Sequence, residues 1–226
     1  MHEISIPEEV RLAIAERRGR AHAFDELHPT RTALLVVDMQ NHFVAEAGLS
    51  EVPKARGIVA NIDRLASALR DRGGTVVWVR STFTHEGRGA WPMFFANFIA
   101  PEREREVRSG LLAGTWGHRF AAGLEPLAGD PVVDKDRFSP FSEGASDVAP
   151  LLRGRGIDTV VVSGTMTNVC CESTARDAMM ADFRTIMVDD ANAARTDEAH
   201  VASLVTFASV FGDVRSTADV IALLDR

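Results

Sequence analysis

Ser163-Gly164-Thr165-Met166-Thr167-Asn168-Val169-Cys170-Cys171-Glu172-Ser173-Thr174-Ala175-Arg176-Asp177-Ala178 follows the β-branched run Thr159 to Val162 and leads into a helix-favouring segment. The stretch reads as a strand, a glycine-bearing turn and a helix, and it sets a thiol at the turn. Such turns gather unpaired backbone N–H groups and the positive end of a helix dipole, which stabilise a thiolate and can hold an oxyanion. Cys170 is therefore the first candidate nucleophile. The alternative is that Cys170 and Cys171 are two small buried hydrophobes, as most free cysteines are. Successive helix positions point about 100° apart, so the two cannot both face one site.

Working outward, strand-like and helix-like segments alternate along the chain. Ala33-Leu34-Leu35-Val36-Val37-Asp38 is a continuous apolar run ending in a carboxylate, as expected of a central parallel strand. Ile58, Ile62, Leu65, Ala66 and Leu69 recur at helical spacing, Gly73-Gly74 ends that helix, and Thr75 to Val79 is a second strand. Pro131 to Lys135, Ile157 to Val162, Arg184 to Val188 and Gly212 to Val214 supply four more strands. Helices are expected after Cys170, over Ala199 to Ala208 and over Ala218 to Leu224. The fold class is α/β, a Rossmann-like three-layer α/β/α sandwich around a mostly parallel six-stranded sheet.

At 226 residues and 46% hydrophobic, the chain is long enough for a sizeable core. It shows no repeat, low-complexity tract or linker. One domain is expected over residues 31–226, with residues 1–30, charged from Glu8 to Arg20, forming an N-terminal arm with a peripheral helix. Arms of this kind often pack on a neighbouring subunit, which points to a homo-oligomer, a dimer or tetramer. The net charge of −7 excludes a nucleic-acid partner, because phosphate binding needs clustered Lys and Arg. No leader pattern or long apolar run appears, so no membrane partner is expected. Adjacent cysteines cannot staple a fold, and a cytoplasmic setting follows.

Three side chains at strand ends stand out. Asp38 ends the first strand, and ligands in open α/β sheets bind outside the carboxyl ends of strands. Lys135 ends the third and is the natural cation for lowering the pKa of the Cys170 thiol. His42, Glu46 and Glu51 follow the first strand, but their spacing fits no metal-ligand pattern, and neither a metal nor another cofactor is expected. The long excursion after Val79 carries Gly87-Arg88-Gly89 and the cluster Trp91, Phe94, Phe95 and Phe98. Arg80, Trp91 and Asn97 are its expected small-ligand contacts, whereas Phe94, Phe95 and Phe98 read equally as core or subunit contact.

These residues resemble the isochorismatase-like cysteine hydrolase superfamily, and specifically its amidase branch. Ala33 to Phe43 (ALLVVDMQNHF) is similar to its first motif, Asp134 to Phe141 (DKDRFSPF) to its second and Gly164 to Ala178 (GTMTNVCCESTARDA) to its third, in order and with compatible spacing. The resemblance implies Asp38 as general base, Lys135 as the cation and Cys170 as nucleophile. It also implies a cis Thr165-Met166 peptide that turns the N–H of Met166 toward the site beside that of Cys170, the pair forming an oxyanion hole. Thr167 and Phe43, within these motifs, join Arg80, Trp91 and Asn97 as expected substrate contacts. The thiol at position 170 argues against vinyl-ether cleavage by an isochorismatase. The Asp/His metal cluster of nicotinamidases has at most distant echoes in His42 and His85. What remains is the branch acting on ureido or carbamoyl compounds such as N-carbamoylsarcosine, ureidoacrylate and biuret.

The expected chemistry is amide hydrolysis through a thioester, with release of ammonia. The alternatives are an isochorismatase- or nicotinamidase-type hydrolase, a redox thiol protein in which Cys171 resolves an oxidised Cys170, and a nucleotide-binding module. The last lacks any GxGxxG or GxxxxGK[ST] opening a helix. A small substrate is expected to meet Arg80 and Asn97 as polar partners with Phe43 and Trp91 as apolar walls, an arrangement that favours planar, hydrogen-bond-rich ureas. Arg80 or Arg195 is the expected partner of a substrate carboxylate.

Overall fold

All six residues of Thr32–Val37 (β1) are buried, as a strand covered on both faces requires. Around β1 the computed structural model, which describes His2 and residues 6–225, arranges five further strands. These are Thr75–Ser81 (β2), Val132–Lys135 (β3), Thr159–Thr165 (β4), Arg184–Ala193 (β5) and Asp213–Arg215 (β6), in the spatial order β3-β2-β1-β4-β5-β6. Every pairing is parallel, so the six-stranded sheet anticipated from the sequence is parallel throughout. Strand order reverses between β1 and β4. That switch point opens a crevice at the carboxyl ends of the two strands, where ligands of such sheets bind.

Alternate residues of each strand feed two cores. Leu34, Val36, Val76, Trp78 and Val161 pack against Val59–Asp71 (α3) and Thr217–Leu224 (α9) through Ile62, Leu65, Leu69 and Val220. Leu35, Val37, Val77, Val79 and Val162 face the other way. They meet Val148–Gly154 (α6), Glu172–Met180 (α7) and Asp197–Val210 (α8) through Leu152, Ala175, Ala178, Leu204 and Phe207. This is the three-layer sandwich.

The peripheral helix of the arm is Glu8–Arg18 (α1), acidic in its first turn, basic in its last and closed by Gly19 at φ 73°. It packs on the α8 side of the sheet, burying Ile14, and Arg18 donates to the carbonyls of Ala208 and Gly212 at 2.6 and 3.1 Å. Of the arm's first five residues only His2 is described; its ring stacks on His200 at 3.9 Å and binds Asp197.

Between β2 and β3 the chain leaves the sheet. This excursion holds Pro92–Phe98 (α4) and Pro101–Gly110 (α5), while the four-residue Asn41–Val44 (α2) follows β1. Phe83, Phe95 and Leu111 form a third core here, with Phe43, Trp91, Phe94, Ile99 and Val107 packed against it. The buried Arg108 fastens it: its guanidinium lies 3.7 Å above the Phe95 ring, pairs with Glu104 and donates to the carbonyls of Thr84 and Ala90. Phe95 is thus core, Phe94 is half-buried, and Phe98 is exposed.

Candidate active site

The site is assembled by strand register. Val37, at the end of β1, lies between Val79 of β2 and Gly164 of β4. Asp38 follows at φ 52°, a left-handed conformation that Asp tolerates better than most residues, with its N–H bonded to Val79 O at 2.8 Å. Gly164 has φ 121°, and a Cβ on it would collide with the Val37 carbonyl, so only glycine lets β4 close on β1 here. On the other flank Ser81 of β2 pairs with Lys135 of β3. The buried Gln40 amide braces that strand end, donating to the carbonyls of Ser81 and His118 and accepting from the Ser81 N–H.

These registers bring Asp38, Ser81, Lys135 and Cys170 together out of solvent. The Lys135 ammonium donates to Asp38 Oδ2 at 2.8 Å, to Ser81 Oγ at 2.8 Å and to the Arg137 carbonyl at 3.1 Å, with Cys170 Sγ at 3.7 Å. Ser81 in turn donates to Asp38 Oδ1 at 3.1 Å. Both oxygens of Asp38 therefore accept hydrogen bonds, one of them from a cation.

Burial pushes the Cys170 thiol well up from its ordinary pKa, and the Asp38 carboxylate adds to the rise. Lys135 lowers it, the direction expected of this cation from the sequence, but burial and Asp38 together outweigh that pull, so the resting thiol stays protonated. Burial alone would depress Lys135, yet Asp38 and Cys170 outweigh it and raise its pKa, which keeps it an ammonium. The arrangement stores a proton on sulfur beside a carboxylate able to take it.

Cys170 does not open an ordinary α-helix. Thr167–Cys171 is a π-turn leading into α7. The Met166 carbonyl accepts from the N–H groups of Val169 at 3.0 Å and Cys171 at 3.1 Å, passing over that of Cys170. Single π-turns recur at functional sites for this reason: they shift the hydrogen-bond ladder by one residue. The Thr165–Met166 peptide is cis. Cys171 has no exposed surface and packs in the core beside α7.

A cleft of about 190 Å³ opens on Cys170. Asp38, Ser81, Thr165, Met166 and Cys170 line its floor; Phe43, His42, Ser50 and Arg195 line it also, as does a wall of Phe83, Phe94, Ile99, Val107, Leu111 and Phe138. Phe43 and Arg195 thus stand where the sequence reading puts them. The other expected contacts do not. Arg80 alternates with Ser81 along β2, so it points away and forms an ion pair with Asp134 beside Phe120. Asn97 donates to Met93 O on α4, away from the cleft, and Trp91, which does not line the cleft, stacks on Phe94 and meets Phe138 edge to face. Thr167 is fully buried, bonded to His200 Nδ1 at 2.8 Å, and its carbonyl accepts from Ser203, so it fixes the π-turn from behind.

His42 bonds Ser50 Oγ at 3.0 Å, while its Nδ1 is buried without a partner against Gly110. Burial, with Arg103 nearby, lowers its pKa to about 4, so the ring is neutral at pH 7. Among the described residues no three His, Cys, Asp or Glu side chains converge as a metal-ligand group. Ser81 escaped the sequence reading, although the pairing of β2 with β3 would have exposed it: the residue facing Lys135 across the ladder is Ser81, not Arg80.

Comparison with known proteins identifies relatives of this chain. The family described as the isochorismatase domain matches residues 32–219. The chain is 34% identical to the ureidoacrylate amidohydrolase of Variovorax paradoxus, over 86% of its own length and 82% of that protein's. Among solved structures, a cysteine hydrolase from Pseudomonas syringae pv. phaseolicola superposes with a TM-score of 0.80 at 31% identity, covering 90% of this chain and 96% of that one. N-carbamoylsarcosine amidase from Thermoplasma acidophilum gives a TM-score of 0.67 at 30% identity, covering 83% and 96%.

Proposed function

Because the chain belongs to the isochorismatase family, we propose that Asp38, Lys135 and Cys170 make it a cysteine-dependent amidohydrolase, cleaving a C–N bond of a small ureido or carbamoyl compound and releasing ammonia. The observation that carries this reading is the buried cluster in which one ammonium contacts both a carboxylate and a thiol at the sheet's switch point.

In this reading Asp38 takes the Cys170 proton as the sulfur attacks the carbonyl carbon. The oxyanion is held by the N–H groups of Met166 and Cys170, and the π-turn supports this role by passing over the Cys170 N–H. The C–N bond breaks and ammonia leaves with the proton from Asp38, giving an S-acyl enzyme, or an S-carbamoyl enzyme when the substrate is a ureide. Asp38 then deprotonates water, which attacks the same carbon and returns the thiol. Lys135 stays an ammonium throughout and offsets the charge passing between sulfur and carboxylate.

Arg195 is the substrate-carboxylate partner in this scheme, since it lines the cleft while Arg80 is engaged by Asp134. Ureidoacrylate and N-carbamoylsarcosine, named for the relatives, are both ureido acids. A redox role is disfavoured by the complete burial of Cys171 in the core. The reactive thiol favours a reducing, cytoplasmic setting. The exposed Met93 and Phe98 on α4 favour a homo-oligomer, which light scattering tests.

The deciding experiment measures ammonia from ureidoacrylate, N-carbamoylsarcosine, biuret and nicotinamide, and pyruvate from isochorismate, in one buffer. The ureido acids are expected to lead in kcat/KM. A lead for nicotinamide, or turnover of isochorismate, overturns the reading.

A further inference from the structure

Apart from Phe138, which packs on the second sheet core, the apolar wall of the cleft lies outside the sheet sandwich. Phe83, Phe94, Ile99, Val107 and Leu111 all belong to the small third core of the excursion between β2 and β3. None offers a hydrogen-bonding side chain. Among the lining residues the polar groups fall into two sets elsewhere: Asp38, Ser81, Thr165 and Cys170 at the reacting centre, with the Thr165 hydroxyl already given to the Ala193 carbonyl, and the contiguous His42, Ser50 and Arg195, linked by hydrogen bonds of 3.0 and 3.2 Å. His42 is neutral and its Nε2 is already engaged by Ser50.

A substrate in this cleft therefore meets a nucleophile, a cation and an extended hydrocarbon surface. A compact polar urea such as biuret would set N–H and C=O groups against that surface with nothing to bond, forfeiting their hydrogen bonds to water. An apolar substituent loses nothing there and gains from leaving water. The expectation from sequence that a hydrogen-bond-rich urea profits most rested on Arg80 and Asn97, and both lie outside the cleft.

Resting on the amidohydrolase reading above, we propose that the preferred substrate is an N-carbamoyl acid with a bulky apolar side chain, of leucine to phenylalanine size. Its side chain lies on the wall of Phe83, Phe94, Ile99, Val107 and Leu111 while its carbamoyl carbon meets Cys170. Hydrophobic pockets discriminate by about 10- to 200-fold per methylene, so the preference over a carbamoyl acid with no side chain is at least about tenfold.

The test holds the carboxylate and the scissile group constant and varies only the side chain. Ammonia release is measured for N-carbamoylglycine, -alanine, -leucine and -phenylalanine, with biuret alongside. The expected order of kcat/KM rises along the series, with leucine or phenylalanine at least tenfold above glycine and biuret last. Val107→Thr, isosteric but polar, is expected to shrink the leucine-to-glycine ratio severalfold; Ile99→Ala provides a second variant at another half-buried position of the wall. A flat or falling series, or a ratio indifferent to both substitutions, overturns the proposal and leaves the amidohydrolase reading standing. Protection of Cys170 from alkylation by the same compounds reads occupancy of the cleft without turnover. If no compound releases ammonia, the amidohydrolase reading fails. The wall is then judged by protection alone: N-carbamoylleucine shielding the thiol better than N-carbamoylglycine supports it, and equal shielding overturns it.

Discussion

The ammonium of Lys135 lies 3.7 Å from the sulfur of Cys170, yet each of its three protons has an oxygen partner that is nearer: Asp38, Ser81 and the Arg137 carbonyl. The cation accordingly serves the carboxylate first and reaches the sulfur only when one of those bonds turns. Ser81 is the hinge of this arrangement because it accepts from Lys135 and donates to Asp38. Ser81→Ala removes both bonds. A hydrogen bond to a charged group is worth about 1.5–3 kcal/mol, so kcat is expected to fall by about 10- to 100-fold. As a positioning residue that touches no substrate carbonyl, Ser81 should leave KM nearly unchanged, and Ser81→Thr should restore most of the rate. Steady-state kinetics on the three proteins checks this, and a loss carried by KM counts against it.

The two adjacent cysteines should behave in opposite ways. Cys170→Ala should abolish turnover, whereas Cys171→Ala, which trims a fully buried side chain, should cost about 1 kcal/mol of stability and keep most activity. Intact-mass analysis with limiting alkylator is expected to find the label on Cys170. Preferential labelling of Cys171 would reverse the assignment.

Because burial and Asp38 push the Cys170 thiol up, its thiolate fraction at neutral pH is below that of a free cysteine, whose pKa is about 8.5. Alkylation without substrate should thus be slower than for a free thiol at pH 7 and should climb through alkaline pH. An alkylation profile that levels off below pH 8 would contradict the assigned environment.

Acid should destabilise the fold before the carboxylates titrate. Burial lowers His42 to about 4 and His200 to about 3, and both are neutral when folded at pH 7. A base whose folded pKa is depressed contributes stability that is complete above its unfolded value, near 6.5, and is lost as pH falls toward the folded value. The urea midpoint should therefore drop between pH 6.5 and 4, and His200→Gln should remove part of that slope. A midpoint constant over this range rules the buried neutral rings out.

Gly164→Ala should be severe. Its φ of 121° and the collision of a Cβ with Val37 leave no room to relax without parting β1 from β4. A loss above about 3 kcal/mol is expected in denaturant unfolding, and a near-neutral variant would show that the two strand ends are looser than described.

The strands were legible because burial on both faces writes continuous runs of Val, Leu and Ile, and Asp38, Lys135 and Cys170 were legible because they sit where those runs stop. Ser81 was not, since a serine in a strand carries no signature until its neighbour across the ladder is known. The same alternation that brings Ser81 to Lys135 carries Arg80 to Asp134 on the other face. The π-turn at Thr167–Cys171 leaves no mark in residue type, and Thr167 reads as a site residue from its motif although it faces His200. In α5 the buried side chain is Arg108, which bonds the carbonyls of Thr84 and Ala90, so hydrophobic periodicity passes over that helix.

The third core gives the molecule a division of labour. Residues that fix the reacting atoms hang from the sheet and share its two large cores, whereas the wall that meets the rest of the substrate belongs to a patch with its own anchor in Arg108. Side chains on that patch can be exchanged without disturbing the register of β1, β2, β3 and β4. Substrate range can therefore drift in evolution, or be redirected by mutagenesis, while the bond-breaking apparatus is inherited intact.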